Sequence, residues 1–157
     1  MDVNRFSQGQ LIAAVSAVLL FIFMFLPWFE IPGVEATLPE GLPEDIDLGG
    51  APGIEPESLN AWEAENPLDI FLLLTVLVAL GGVLLASSGG GAGMPVPLSM
   101  ATFLLGSLAT LMVLYQVFDV PGELDRKIGL FLGLIAAAGI AVGGYLSMQD
   151  EATGERY

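Results

Sequence analysis

Four apolar runs, free of charged residues except for Asp69 at the start of the second, alternate with polar segments along the chain. They cover Leu11 to about Phe29, Leu68 to Ala86, Val96 to Phe118 and Ile128 to Leu146. Crossing a bilayer takes about 20 apolar residues at about 1.5 Å rise each, so every run predicts a transmembrane helix. Core helices of water-soluble domains are shorter and keep a polar stripe, which these runs lack. The expected fold is therefore all-α: residues 1–157 form a single membrane domain, a four-helix transmembrane bundle with spans of about 11–29, 68–86, 96–118 and 128–146. One irregular acidic loop, 30–67, lies outside the bundle. The first run exceeds the 7–15 apolar residues of a cleaved signal peptide. It also ends in Phe25-Leu26-Pro27-Trp28-Phe29, bulky where a cleavage site needs small residues, so it predicts a retained anchor.

The ends of the runs carry helix-end chemistry. Asn66-Pro67-Leu68-Asp69 reads as N-cap, N1 proline and N3 acid, which satisfy or complement the free N–H groups of a helix start. The glycine-rich stretch from Ser87 to Gly93 ends the second helix, and Pro97 fits the first turn of the third. Asp119-Val120-Pro121-Gly122 stops the third helix, and Asp125 can cap the fourth. Trp28 and Trp62, with Tyr115 and Tyr145, fall near span ends, where amphipathic rings favour the headgroup zone. They are read as interface anchors.

Composition agrees with a membrane protein and excludes several function classes. The chain is 54% hydrophobic and 14% charged, against about 25% charged in soluble domains. Its 18 acids and 4 bases give a formal charge of −14. Disorder is excluded by the hydrophobicity, and nucleic acid is not an expected partner without a basic surface. The absence of cysteine removes disulfides and thiolate chemistry, and the absence of histidine removes the commonest general base. Eleven of the acids lie between Glu30 and Asp69, so the charge belongs mainly to one loop. Positive charge does not orient the bundle, because Arg5 and Arg156 would face one side and Arg126 and Lys127 the other. The acidic loop, repelled by anionic cytoplasmic lipid, predicts a multi-pass cell (plasma) membrane protein with both termini in the cytoplasm and 30–67 outside.

Prolines at 32, 39, 43, 52, 56 and 67 make this loop irregular. Within it, Glu57–Glu65 predicts a short surface helix with Leu59 and Trp62 on one face. Asp45-Ile46-Asp47-Leu48-Gly49-Gly50 opens like a calcium loop, but Gly49, Gly53 and Pro56 stand at ligand positions 5, 9 and 12. No specific metal site is expected, only weak cation attraction at Glu44, Asp45 and Asp47.

The spans hold hydroxyls and one amide (Ser16, Thr75, Thr102, Ser107, Thr110 and Gln116) but no charged group apart from Asp69 at the start of the second. Such groups usually bond to backbone carbonyls or neighbouring helices. A serine without a base is no activated nucleophile, so no catalytic residue, cofactor or small-molecule substrate is expected. Small residues, in contrast, recur in helical register. Gly129, Gly133, Ala137 and Ala141 repeat every four residues, Gly139 and Gly143 form a second pair, and Gly82 and Gly106 lie among small residues of the second and third spans. These six glycines are the candidate helix-packing positions, where backbones approach closely.

Ser7-x-Gly9-x-Leu11-Ile12-Ala13-Ala14, Phe25-Leu26-Pro27-Trp28-Phe29 and Asn60-Ala61-Trp62-Glu63-Ala64 resemble segments of small four-span membrane proteins of actinobacteria. So does the stretch from Ile128-Gly129-Leu130-Phe131-Leu132-Gly133 through Gly143-Gly144. The resemblance covers most of the chain and implies membrane location and span count. No substrate or catalytic residue comes with it. The expected function is that of a non-enzymatic accessory, scaffold or assembly subunit. It would act through helix packing and its acidic outer loop, with the lipid bilayer and a homo-oligomer or membrane-protein partner around it. The alternative is a small transporter subunit or an oligomeric, cation-attracting pore.

Overall fold

The computed structural model describes residues 6–32, 57–63, 67–88, 96–120 and 124–153. Within these, four helices form: α1 (Gln8–Phe23), α2 (Pro67–Ser87), α3 (Leu98–Phe118) and α4 (Ile128–Thr153). They pack as a ring in the order α1, α4, α3, α2, with α4 making the most extensive contacts, to α1 and α3. Leu20, Leu72, Val113, Leu130 and Ile140, all fully buried, fill the centre. Thr75, Ser99, Thr102, Gln116 and Ser147 are buried as well. Outward faces instead carry Val15, Leu77, Leu111 and Ile135, each more than half exposed. Three helices, α2, α3 and α4, are long and apolar enough to cross a membrane.

The helix starts follow local chemistry. Ser7 caps α1 in a reciprocal box: its Oγ accepts from the Gln10 backbone N–H, and Gln10 Oε1 accepts from the Ser7 N–H, both at 3.2 Å. Pro67 opens α2, with Asp69 in the first turn. Pro97 sits one residue before α3, as its cap. Asn66, the expected cap of α2, and the glycines at 89–93 lie outside the described residues.

The all-α expectation is corrected in two places. First, α1 stops at Phe23 rather than running on to Phe29, which leaves it 16 residues long. Pro27 explains the stop. In a continued helix its ring would press on the carbonyl of Phe23 four residues back, and it has no N–H to offer that carbonyl. The Phe23 oxygen is taken instead by the Leu26 N–H at 3.1 Å and by the Trp28 indole Nε1–H at 2.7 Å. The chain then extends as β1 (Pro27–Ile31), in which Trp and Phe favour a strand over a helix.

Second, residues 57–60 are not the start of a surface helix but a strand, β2 (Glu57–Asn60), paired antiparallel with β1. Asn60 ends it: its Oδ1 accepts from the N–H groups of Trp62 (2.9 Å) and Glu63 (3.0 Å), and Glu63 Oε2 accepts from the Asn60 N–H at 3.1 Å. The helix-start signal is therefore present at Asn60, but only a turn over 61–63 follows in the described residues. A third strand, β3 (Asp125–Arg126), pairs with β1 from the other side, giving the order β2-β1-β3. Asp125 thus lies opposite Glu30 in the sheet instead of capping α4. Finally, α4 extends seven residues beyond the expected Leu146, to Thr153.

Candidate functional site

The sheet closes the end of the bundle where α1 and α3 finish and α2 and α4 begin. Its central strand enters the packed core, with Trp28 and Phe29 at 1% and 2% exposure. The indole of Trp28 occupies a notch on α4. A Cβ on Gly133 would stand 2.6 Å from Trp28 Cζ2, and one on Gly129 would stand 2.5 Å from the Pro27 carbonyl oxygen and 2.7 Å from Trp28 Cδ1. Only hydrogen at both positions leaves room for the ring and the strand. Burial thus gives Trp28 a packing role in place of the headgroup anchoring expected of it. Trp62 is half-buried, with its ring against Phe25 at a centroid distance of 6.0 Å and its Nε1 buried with no partner among the described residues.

Further along α4, Gly143 backs onto the Ala13 backbone of α1, and Gly139 onto Ser16. Gly106 of α3 lies against Ala141, where an added Cβ would meet the Ala141 nitrogen at 2.6 Å. Gly82 differs from these: a Cβ there would sit 3.5 Å from Leu98 Cβ, an ordinary contact. Two positions of the same kind were not among the expected six. A Cβ on Gly144 would stand 2.5 Å from the Phe103 backbone nitrogen, and one on Gly9 of α1 would meet Gly143 and Ser147. Both belong to stretches of small residues, Gly143-Gly144 and Gly9-x-x-x-Ala13, so spacing on α1 and on the second face of α4 was the available signal.

The polar side chains within the helices are mostly spent locally. Thr75 Oγ1 donates to Phe71 O at 2.9 Å and Thr110 Oγ1 to Gly106 O at 2.7 Å, the usual back-bonding of hydroxyls in apolar helices. At the end opposite the sheet, Ser99 Oγ donates to Glu151 Oε2 at 2.8 Å and ties the start of α3 to the end of α4. Gln116 Oε1 is buried with no partner among the described residues. No group of three or more acids lies together there either. Glu44, Asp45 and Asp47, the expected cation-attracting cluster, lie outside the described residues.

The charged part of the sheet is its β3 side. Lys127 Nζ pairs with Glu30 Oε2 at 2.7 Å, and the Lys127 N–H donates to Trp28 O at 2.9 Å, so the turn before α4 is fastened to β1 twice. Beside it an open cleft of about 710 Å³ lies between the end of α3 and the start of α4. Phe118, Val120, Leu124 and Phe131 supply its apolar lining. Asp119, Asp125, Arg126 and Lys127 supply its charges. Asp119 also accepts a hydrogen bond from the Tyr115 hydroxyl.

Set against protein-family models, curated proteins and solved structures, the chain matches none of them. The cap, the glycine seams and the cleft are therefore read on their own chemistry. What they offer is close packing, a bundle end fastened by the sheet and a mixed-charge surface.

Proposed function

We propose that the chain is a non-enzymatic polytopic protein of the cell membrane. In this reading it crosses the bilayer four times and serves as an accessory, scaffold or assembly subunit. The observation that carries it is the inverted polarity of the bundle. Hydroxyls and an amide are buried between helices, while large aliphatic and aromatic side chains face outward from all four. Water-soluble monomers expose no apolar surface of that extent, whereas lipid is a suitable neighbour for it. At about 24 Å, the 16 residues of α1 fall short of a hydrocarbon core of about 30 Å. The apolar residues that follow the helix, among them the exposed Phe25, and local thinning of the bilayer make up the difference.

Both termini lie in the cytoplasm in this reading, and the cap and acidic loop lie outside. It extends the resemblance to small four-span membrane proteins of actinobacteria. The glycine seams hold the bundle rigid, and the acidic loop, including Glu44, Asp45 and Asp47, presents a negative surface to a partner or a second copy. Crosslinking in native membranes followed by mass spectrometry tests this. A recurrent crosslinked membrane partner or homo-oligomer, retained through mild detergent extraction, is the expected result. A lone monodisperse monomer, or cation leak from liposomes abolished by neutralising Glu44, Asp45 and Asp47, would overturn it.

A further inference from the structure

The cleft beside β3 combines three properties. It holds both signs of charge, it opens next to strongly exposed apolar side chains, and it sits at the helix ends. Phe118 is 77% exposed and Ile128 63%, the first at the end of α3 and the second at the start of α4. Of the two cations, Lys127 is held by Glu30 at 2.7 Å, whereas Arg126 has no ion-pair partner among the described residues. Among the described residues the charges of the cleft outside an ion pair are thus one guanidinium and two carboxylates, Asp119 and Asp125, all exposed, with Asp119 also accepting from the Tyr115 hydroxyl.

We propose that this cleft seats the headgroup of a phospholipid that carries a primary ammonium. The phosphate would rest on Arg126, the ammonium on Asp119 and Asp125, and the acyl chains along Phe118 and Phe131. The proposal rests on the reading that the helices cross a membrane. Guanidinium is the cation best matched to phosphate, because its planar fork donates two parallel hydrogen bonds. An ammonium offers three donors to carboxylates, and a quaternary amine offers none. A purely anionic headgroup would meet two carboxylates for one free guanidinium, and a purely cationic ligand would meet that guanidinium. A zwitterion complements the set. A volume of about 710 Å³ falls within the usual range of small-ligand clefts. A water-soluble phosphorylated amine would find the same charges but leave Phe118 and Phe131 uncovered, which favours the lipid.

The test uses the full chain, purified in detergent and exposed to an equimolar mixture of phosphatidylethanolamine, phosphatidylcholine and phosphatidylglycerol with identical acyl chains. Retained lipid is read by native mass spectrometry. Charge-assisted hydrogen bonds lost in phosphatidylcholine predict roughly fivefold or greater enrichment of phosphatidylethanolamine over it. Arg126→Gln, and Asp119→Asn combined with Asp125→Asn, should each bring retention down to the phosphatidylcholine level. All three side chains are exposed, and helical circular dichroism checks that the variants fold. Equal or greater retention of phosphatidylglycerol, no preference among the three lipids, or unchanged retention in the variants would overturn the proposal. So would displacement by equimolar glycerophosphoethanolamine, which lacks the chains. Alkaline extraction separates this failure from failure of the membrane reading: a chain released into the soluble fraction refutes the latter. A chain that stays in the membrane without lipid preference refutes only the cleft assignment.

Discussion

At the scale of single residues, glycine does two kinds of work in this chain, and its surroundings tell them apart. Gly143 lies against the Ala13 backbone, so an added methyl group has no flexible neighbour to displace and the helices must separate. Gly81 has no heavy atom within 4 Å of an added Cβ outside its chain neighbours and its own helix backbone. Gly143→Ala should therefore destabilise the bundle by about 1–3 kcal/mol, the usual range for overpacking, while Gly81→Ala should cost nothing. Thermal unfolding in detergent compares the two directly, and equal midpoints for both variants would contradict the close α1–α4 approach. Gly82, adjacent to Gly81 but facing Leu98 at an ordinary distance, should tolerate the same change with little loss.

At the scale of elements, the corner between α1 and β1 depends on one indole. Trp28 fills the notch at Gly129 and Gly133 and also satisfies the Phe23 carbonyl that Pro27 leaves without a helical donor. Trp28→Phe keeps much of the ring and removes the donor, so it should lower stability by about 1 kcal/mol. Trp28→Ala also empties the notch and should cost about 3–5 kcal/mol. Chemical denaturation followed by circular dichroism measures both. This corner is also where the sequence was hardest to read. Helices α2, α3 and α4 are legible because each contains a long apolar run whose charges lie only at its ends, and their observed limits lie close to the expected ones except at the end of α4. Apolarity alone cannot separate the end of α1 from β1, since Phe25 to Phe29 is equally hydrophobic in either form. Pro27 was the physical clue. The small-residue face of α4 was likewise visible as a repeat, but not that a tryptophan from a strand would seat on it. Arg126 and Lys127 read only as topology signals, because the cleft they line exists only once α3, β3 and α4 meet.

At the scale of the whole molecule, orientation is the property that single-cysteine labelling can test, since the chain has no cysteine of its own. Ser58 in β2 and Ser87 at the end of α2 are both exposed and lie at opposite ends of the bundle. With the cap outside, Ser58→Cys should react with a membrane-impermeant maleimide on intact cells, and Ser87→Cys only after permeabilisation. The reverse pattern would invert the proposed topology. The sheet order also has a consequence in time. Its central strand, β1, is synthesised first, but its neighbours β2 and β3 come about 30 and about 100 residues later. One hydrogen-bonding edge of β1 is matched once β2 is made, but the other waits for β3, and the indole waits for Gly129 and Gly133 at the start of the last helix. A chain that ends before residue 125 therefore leaves one edge of β1 without its strand and the indole of Trp28 without its notch.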